Sequence, residues 1–104
     1  MINAIKSILG LGPKVDYADL MKMGGIIIDV RSKGEYNSGH IKGSLNIPVD
    51  QLAGNLDKLK DKNKPIITCC ASGNRNGTVK TLLISKGYKH VYNGGAWHRL
   101  QTKI

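Results

Sequence analysis

The sequence contains no phenylalanine, one tryptophan and two cysteines. The scarcity of aromatics leaves little material for a base-stacking platform, which argues against sequence-specific nucleic-acid recognition. Acidic residues are also few: 7 against 16 lysines and arginines, a formal net charge of +9. This balance favours small anionic substrates and allows weak, non-specific attraction to nucleic acid. The lysines around Lys58, Lys60, Lys62 and Lys64 are scattered through helical spacing, as a solvated basic face would be. No apolar run approaches the length of a membrane span; the longest is Gly24–Ile28.

Cys69 and Cys70 are adjacent. Consecutive Cα atoms lie about 3.8 Å apart, whereas a relaxed disulfide needs roughly 4.4–6.8 Å. A bridge between these two would be strained. The three histidines show no ligand spacing, so no metal is expected. Free thiols in a reducing compartment are the remaining reading.

Residues 1–13 place Ile2, Ile5, Ile8 and Leu9 at helical spacing, with Gly10, Gly12 and Pro13 to close the turn. A short amphipathic helix or tail is expected there, ahead of one domain over 14–104. Lys6 interrupts the apolar stretch, unlike a secretory signal, so a cytoplasmic location is expected.

Helical and strand patterns alternate along the rest of the chain. Asp16–Met23 reads as a short helix ended by Gly24-Gly25, and Ile26–Val30 as a buried strand. Ser32 and Glu35 have capping-box spacing. Ser44–Ile47 reads as a second strand, and Val49–Lys60 as a helix with Leu52, Leu56 and Leu59 on one face. Ile66–Cys69 is a third strand, Asn76–Lys86 a helix capped by Gly87, His90–Tyr92 a short strand, and Gly94-Gly95 the opening of a last turn or helix. This alternation predicts an α/β fold: a mostly parallel central sheet with helices on both faces.

Chemistry gathers beyond the carboxyl ends of strands in such sheets. The stretch Ile66–Gly77 delivers a thiol to that edge, then a small loop, then a helix. Cys69, last in the apolar run, is read as a packed thiol, and Cys70 as the first residue of the loop. Ala71, Ser72 and Gly73 are small enough for main-chain N–H groups to form an anion-binding nest. A helix start near Asn76 adds a positive dipole end. Arg75 can bind an oxyanion bidentately, and Ser72 and Asn74 can hydrogen-bond in the loop or to substrate. All three effects favour a thiolate or persulfide anion on Cys70. Asp29 and Arg31 are read as a bracing ion pair, His40 as a structural histidine and Trp97 as a packing residue.

Four pieces in this order resemble the rhodanese family. They are Ile28-Asp29-Val30-Arg31 with Glu35-Tyr36 and Gly39-His40-Ile41; Gly43-Ser44-Leu45-Asn46-Ile47-Pro48; Cys70-Ala71-Ser72-Gly73-Asn74-Arg75; and Asn93-Gly94-Gly95-Ala96-Trp97. The resemblance runs from about Tyr17 to about Leu100. It implies a single rhodanese-like domain and a sulfurtransferase needing no cofactor beyond a covalent persulfide on Cys70. A small anionic donor such as thiosulfate, or a persulfide, would give sulfur. Cyanide, a thiol or a protein sulfur acceptor would take it. Arg75 matches the family's loop arginine and is assigned donor binding, with Ala71, Ser72, Gly73 and Asn74 lining the substrate. Ala71 stands where thiosulfate-using members often carry a basic residue, so a protein persulfide donor stands beside thiosulfate. A monomer is expected.

Two other classes compete. Phosphatases and arsenate reductases of the cysteine-loop type carry C-x5-R, one residue longer than the C-x4-R from Cys70 to Arg75. Non-catalytic rhodanese-like regulatory modules usually lack the cysteine.

Overall fold

A computed structural model describes residues 15–72 and 76–104, with Asn76 described by its backbone alone. The proposed helix or tail over 1–13 and the loop residues Gly73, Asn74 and Arg75 lie outside the described residues.

The chain begins with helix α1, Tyr17–Lys22, whose N-cap Asp16 accepts a hydrogen bond from the Asp19 amide. Strand β1 is Ile26–Asp29 and helix α2 is Lys33–Ser38. The capping box forms in full: Ser32 Oγ accepts from the Glu35 amide, and the Glu35 carboxylate accepts from the Ser32 amide. Strand β2 is short, Leu45–Asn46. Strand β3 is Ile66–Cys70, helix α3 Asn76–Ser85, strand β4 Val91–Ala96 and helix α4 Trp97–Gln101.

The four strands lie in the order β2-β1-β3-β4, and every pairing is parallel. From β1 the chain first adds a strand on one side, then crosses to the other. The order therefore reverses between β1 and β3. In parallel sheets the crevice outside the carboxyl ends at such a point is where ligands bind.

Strand alternation divides the core in two. On one face Ile28, Ile66 and Cys70 pack with Leu52, Leu59, Val79, Leu83 and Tyr88, contributed largely by α3 and the segment before β3. On the other, Ile27, Ile67 and Cys69 pack with Leu100, and with Tyr17, Leu20 and Trp97 from α1 and α4. Removing one of the larger side chains, as in Leu83→Ala, would cost about 2–5 kcal/mol. Among the described residues, no helix is long and apolar enough to cross a membrane.

Three expectations need correction. Val49–Lys60 is not an α-helix but two 3₁₀ segments, Val49–Gln51 and Ala53–Lys58, with a break at Asn55 (φ −122°). Gly54 and Asn55 are poor helix formers, and the apolar pairs Val49/Leu52 and Leu56/Leu59 have the i, i+3 spacing that a 3₁₀ turn aligns. Strand β4 does not stop at Tyr92; it runs through Gly94 and Gly95 to Ala96. The glycine is needed because the backbones approach closely: a Cβ on Gly94 would sit 2.7 Å from the Thr68 carbonyl oxygen and 2.9 Å from Leu100. Finally, Cys70 is not the first loop residue. It is the last of β3, paired in register with Ala96 across an irregularity between Thr68 and Cys70. The longer β4 supplies the partner that carries β3 one residue further.

Candidate active site

Strands β1 and β3 are in register at Asp29 and Cys69, so the two motifs singled out by the sequence end side by side. The Val30 amide donates to the Cys69 carbonyl, extending the contact past β1. Val30 and Cys70 share one core face; Cys69 lies on the other.

Asp29 and Arg31 are both buried and form, among the described residues, the one ion pair. Arg31 Nη2 lies 2.7 Å from Asp29 Oδ2, Nε reaches both carboxylate oxygens, and the Arg31 amide donates to Oδ1. The remaining guanidinium donors hold the Glu35 and Gly39 carbonyls at 3.2 and 2.7 Å. Hydrogen bonding to Asp29 is the foremost cause raising the arginine's pKa above its ordinary value. Trp97 closes the assembly, with Arg31 Cζ 4.8 Å from its ring centroid. A Cβ on Gly39 would come within 3.3 Å of the same indole. Arg31 thus ties the end of β1 to both ends of α2. The charges of Asp29 and Arg31 are spent on each other and on main chain.

Asn46 is a residue that sequence reasoning passed over. Its Nδ2 donates to the carbonyls of both Asp29 and Arg31, at 3.0 Å each, joining β2 to the turn after β1. Its position in Gly43–Pro48, the second piece of the resemblance, was the available signal. His40 stacks on Tyr36 (3.8 Å between centroids), and its Nδ1 lies 2.8 Å from the Tyr36 carbonyl oxygen. A proton on Nδ1 makes that hydrogen bond, the structural use expected of this histidine.

Both cysteines are fully buried. Cys69, packed against Ile27, Ile67 and Leu100, has its thiol pKa pushed up to about 12 by burial, with Asp29 adding to the shift. It is protonated at neutral pH and a poor nucleophile. Because the raised value belongs to the folded state, Cys69 contributes stability that is intact below its unfolded pKa near 9.0 and is lost as pH rises toward 12. Cys69→Ala should therefore flatten the alkaline fall in stability, measured by urea denaturation from pH 8 to 11. A fall as steep as the parent's would remove Cys69 as its source. Burial likewise raises the pKa of Tyr88, which leaves a residual slope in either protein.

Cys70 is equally inaccessible, packed among Val30, Val79 and Leu83. The first residue of a loop was expected, but extension of β3 to Cys70 leaves its side chain in the core. Of the residues that follow, Ala71 is half-buried and Ser72 exposed. The amino end of α3 at Asn76 follows within six positions of Cys70. Among the described residues, no group of three His, Cys, Asp or Glu could hold a metal ion.

The rhodanese-like domain model matches residues 14–97. The chain belongs to the rhodanese-like domain family. Thiosulfate sulfurtransferase PspE of Escherichia coli K12 is 35% identical over 69 residues, covering 65% of this chain and 66% of that protein. Thiosulfate sulfurtransferase GlpE of Haemophilus influenzae Rd is 31% identical over 90 residues, covering 83% of this chain and 85% of the relative. Among solved structures, an E. coli rhodanese with anions superposes with a TM-score of 0.67 at 32% identity, covering 71% of this chain and 88% of that one. The parallel sheet and flanking helices of this chain are the α/β architecture expected from the sequence, and they superpose on that rhodanese.

Proposed function

We propose that this rhodanese-like chain is a sulfurtransferase that moves sulfane sulfur through a persulfide on Cys70. The observation that carries the reading is the position of Cys70: the last residue of a central strand, at the point where strand order reverses, with a ten-residue helix starting six positions later. The relatives named as thiosulfate sulfurtransferases support the same chemistry.

In the first half-reaction the Cys70 thiolate attacks the outer sulfur of thiosulfate. The S–S bond breaks and sulfite leaves with its electron pair, so the outer sulfur becomes the terminal atom of Cys70–S–S⁻. In the second half, cyanide or a thiolate attacks that terminal sulfur and Cys70 thiolate departs. Charge and electrons balance in each step, and no cofactor is required. A protein persulfide can replace thiosulfate as donor, with a thiol as leaving group.

The proposal assigns stabilisation of the anionic sulfur to main-chain N–H groups from Ala71 through Gly73 and to the amino end of α3. Arg75, with Ser72 and Asn74, is assigned the donor's oxyanion. Asp29 and Arg31 serve as positioning residues that fix the neighbouring strand end. The full burial of Cys70 means that a donor reaches it only when its cover opens.

The test is intact-mass detection of one added sulfur after incubation with thiosulfate and, separately, with a protein persulfide donor. The adduct should map to the Cys70 peptide and disappear on adding cyanide, with thiocyanate formed in equal amount. Efficient hydrolysis of an aryl phosphate without any sulfur adduct would instead establish the C-x4-R phosphatase reading.

A further inference from the structure

Three segments meet at the amino ends of the strands, the end of the sheet away from Cys70. The Ile26 amide donates to the Pro65 carbonyl at 2.9 Å and the Ile66 amide to the His90 carbonyl at 2.8 Å. The turn after α1 therefore lies beside residues 60–65, and these lie beside residues 86–90. The last two segments are tied twice more. The Lys89 amide donates to the Lys62 carbonyl at 3.1 Å, and Lys62 Nζ donates to the Lys86 carbonyl at 2.7 Å. Strand β3 runs from Ile66 here to Cys70 at its other end, a span of about 13 Å at ordinary strand rise.

These bonds gather like charge. Residues 60–65 and 86–90 carry Lys60, Lys62, Lys64, Lys86 and Lys89 against a single acid, Asp61. All five lysines are exposed, and none forms an ion pair with a described residue. Their fields add over this end of the molecule. Beside them opens a cleft of about 340 Å³, walled by Leu20, Met23, Pro65 and Tyr92 and shared with Lys64 and His90. Asp61 also reaches this lining, one carboxylate oxygen held by the Asn63 amide at 2.9 Å. Met23 is 68% exposed, the most exposed large apolar side chain among the described residues. Its flexible, polarizable thioether can fit itself to varied apolar groups.

The two features together select among anionic partners. A single-stranded nucleic acid needs exposed aromatic faces for its bases, and here Tyr88 is buried and Tyr92 half-buried. A protein segment uses both features: carboxylates over the lysines and one aliphatic side chain in the cleft. We propose that this end of the sheet docks an acidic protein segment carrying an aliphatic anchor. Lys64, Lys86 and Lys89 attract its carboxylates, and Met23 covers the anchor. An occupant here leaves the Cys70 end of the sheet uncovered, so docking is measurable apart from any sulfur chemistry.

The probe is a capped octapeptide of seven glutamates around one leucine, titrated at low salt into isotope-labelled protein. Amide resonances of Met23, Lys64, Lys89 and His90 should shift, and that of Lys33, beyond the carboxyl end of β1, should not. Lys89→Glu should weaken binding about fivefold. Lys33→Glu, the same change in net charge, should weaken it by less than about twofold. Met23→Ser should weaken it about tenfold. Exchanging the probe's leucine for glutamate should cost as much in the parent, and far less in Met23→Ser. All three substituted side chains are exposed, so the core is untouched. Equal weakening by Lys89→Glu and Lys33→Glu would mean attraction to net charge alone and overturns the site. Shifts spread over both ends of the sheet, or indifference to the leucine, overturn it as well. Tighter binding of decauridylate or of phosphatidylglycerol vesicles at these residues would replace the acidic segment with that partner.

Discussion

Cys70→Ser is expected to abolish the sulfur adduct and to lower sulfur-transfer turnover on the order of a thousandfold or more. A hydroxyl in place of the thiol is far less acidic, so at neutral pH it supplies almost no anion to attack the donor. It also cannot store a second sulfur in a bond that a mild nucleophile breaks. The variant carries a structural cost, because a buried hydroxyl replaces a weakly polar thiol among Val30, Val79 and Leu83. Changes of this kind in a core cost about 1–3 kcal/mol, so circular dichroism and a denaturation midpoint must accompany the assay. Cys70→Ala separates the two effects, since it removes the nucleophile without adding a polar group. Cys69→Ser provides the matched control: it has the same chemical change, one residue away, on the other sheet face. It should retain the adduct. A folded Cys70→Ala protein that still gained one sulfur at equal yield would exclude Cys70 as the carrier.

Asp29→Ala should destabilise the fold by about 3–5 kcal/mol, because it strands the Arg31 guanidinium where Asp29 and Arg31 are both buried. A domain of this size has about 5–15 kcal/mol in total, so the loss is a large share. The melting temperature should fall by about 12 °C or more, at about 4 °C or more per kcal/mol. The reach of Arg31 to the Glu35 and Gly39 carbonyls adds a local effect: α2 and its junction with Trp97 should loosen first, read as faster amide exchange over 33–39. Because the two charges compensate each other, Asp29→Ala combined with Arg31→Met should cost less than the two single changes added together. Additive losses, or a single-variant loss under about 1 kcal/mol, would mean that the pair contributes little.

Much of the fold was legible from local pattern. Ile26–Asp29 and the start of β3 are runs of β-branched residues, and such runs form strands buried on both faces wherever helices cover them. Ser32 and Glu35 satisfy each other within four residues, so their capping box needs no tertiary partner. The errors fell where distant segments decide. Val49–Lys60 has a helical apolar face, yet it forms two 3₁₀ pieces, the second kinked at Asn55, whose leucines join the core cluster with residues of α3 and β3. Gly94 and Gly95 read as a turn in isolation. They form strand because the segment pairs with β3, and at Gly94 Thr68 and Leu100 leave no room for a side chain.

The candidate site divides in the same way. The order of motifs, the adjacent thiols, the shortened C-x4-R interval and the Asp29–Arg31 pairing were in the amino-acid sequence, because each depends on residues a few positions apart. Side-chain alternation alone sent Cys69 and Cys70 to opposite faces. Only the tertiary structure could bury Cys70, since the core cluster it joins includes Val30 and Leu52, far away along the chain. It alone brought Asn46 under two carbonyls of the β1 turn and tied Lys62 to Lys86 and Lys89 at one end of the sheet. Local sequence fixes dihedral preference and the direction of a side chain; burial and the gathering of charge from separate segments depend on which strands become neighbours.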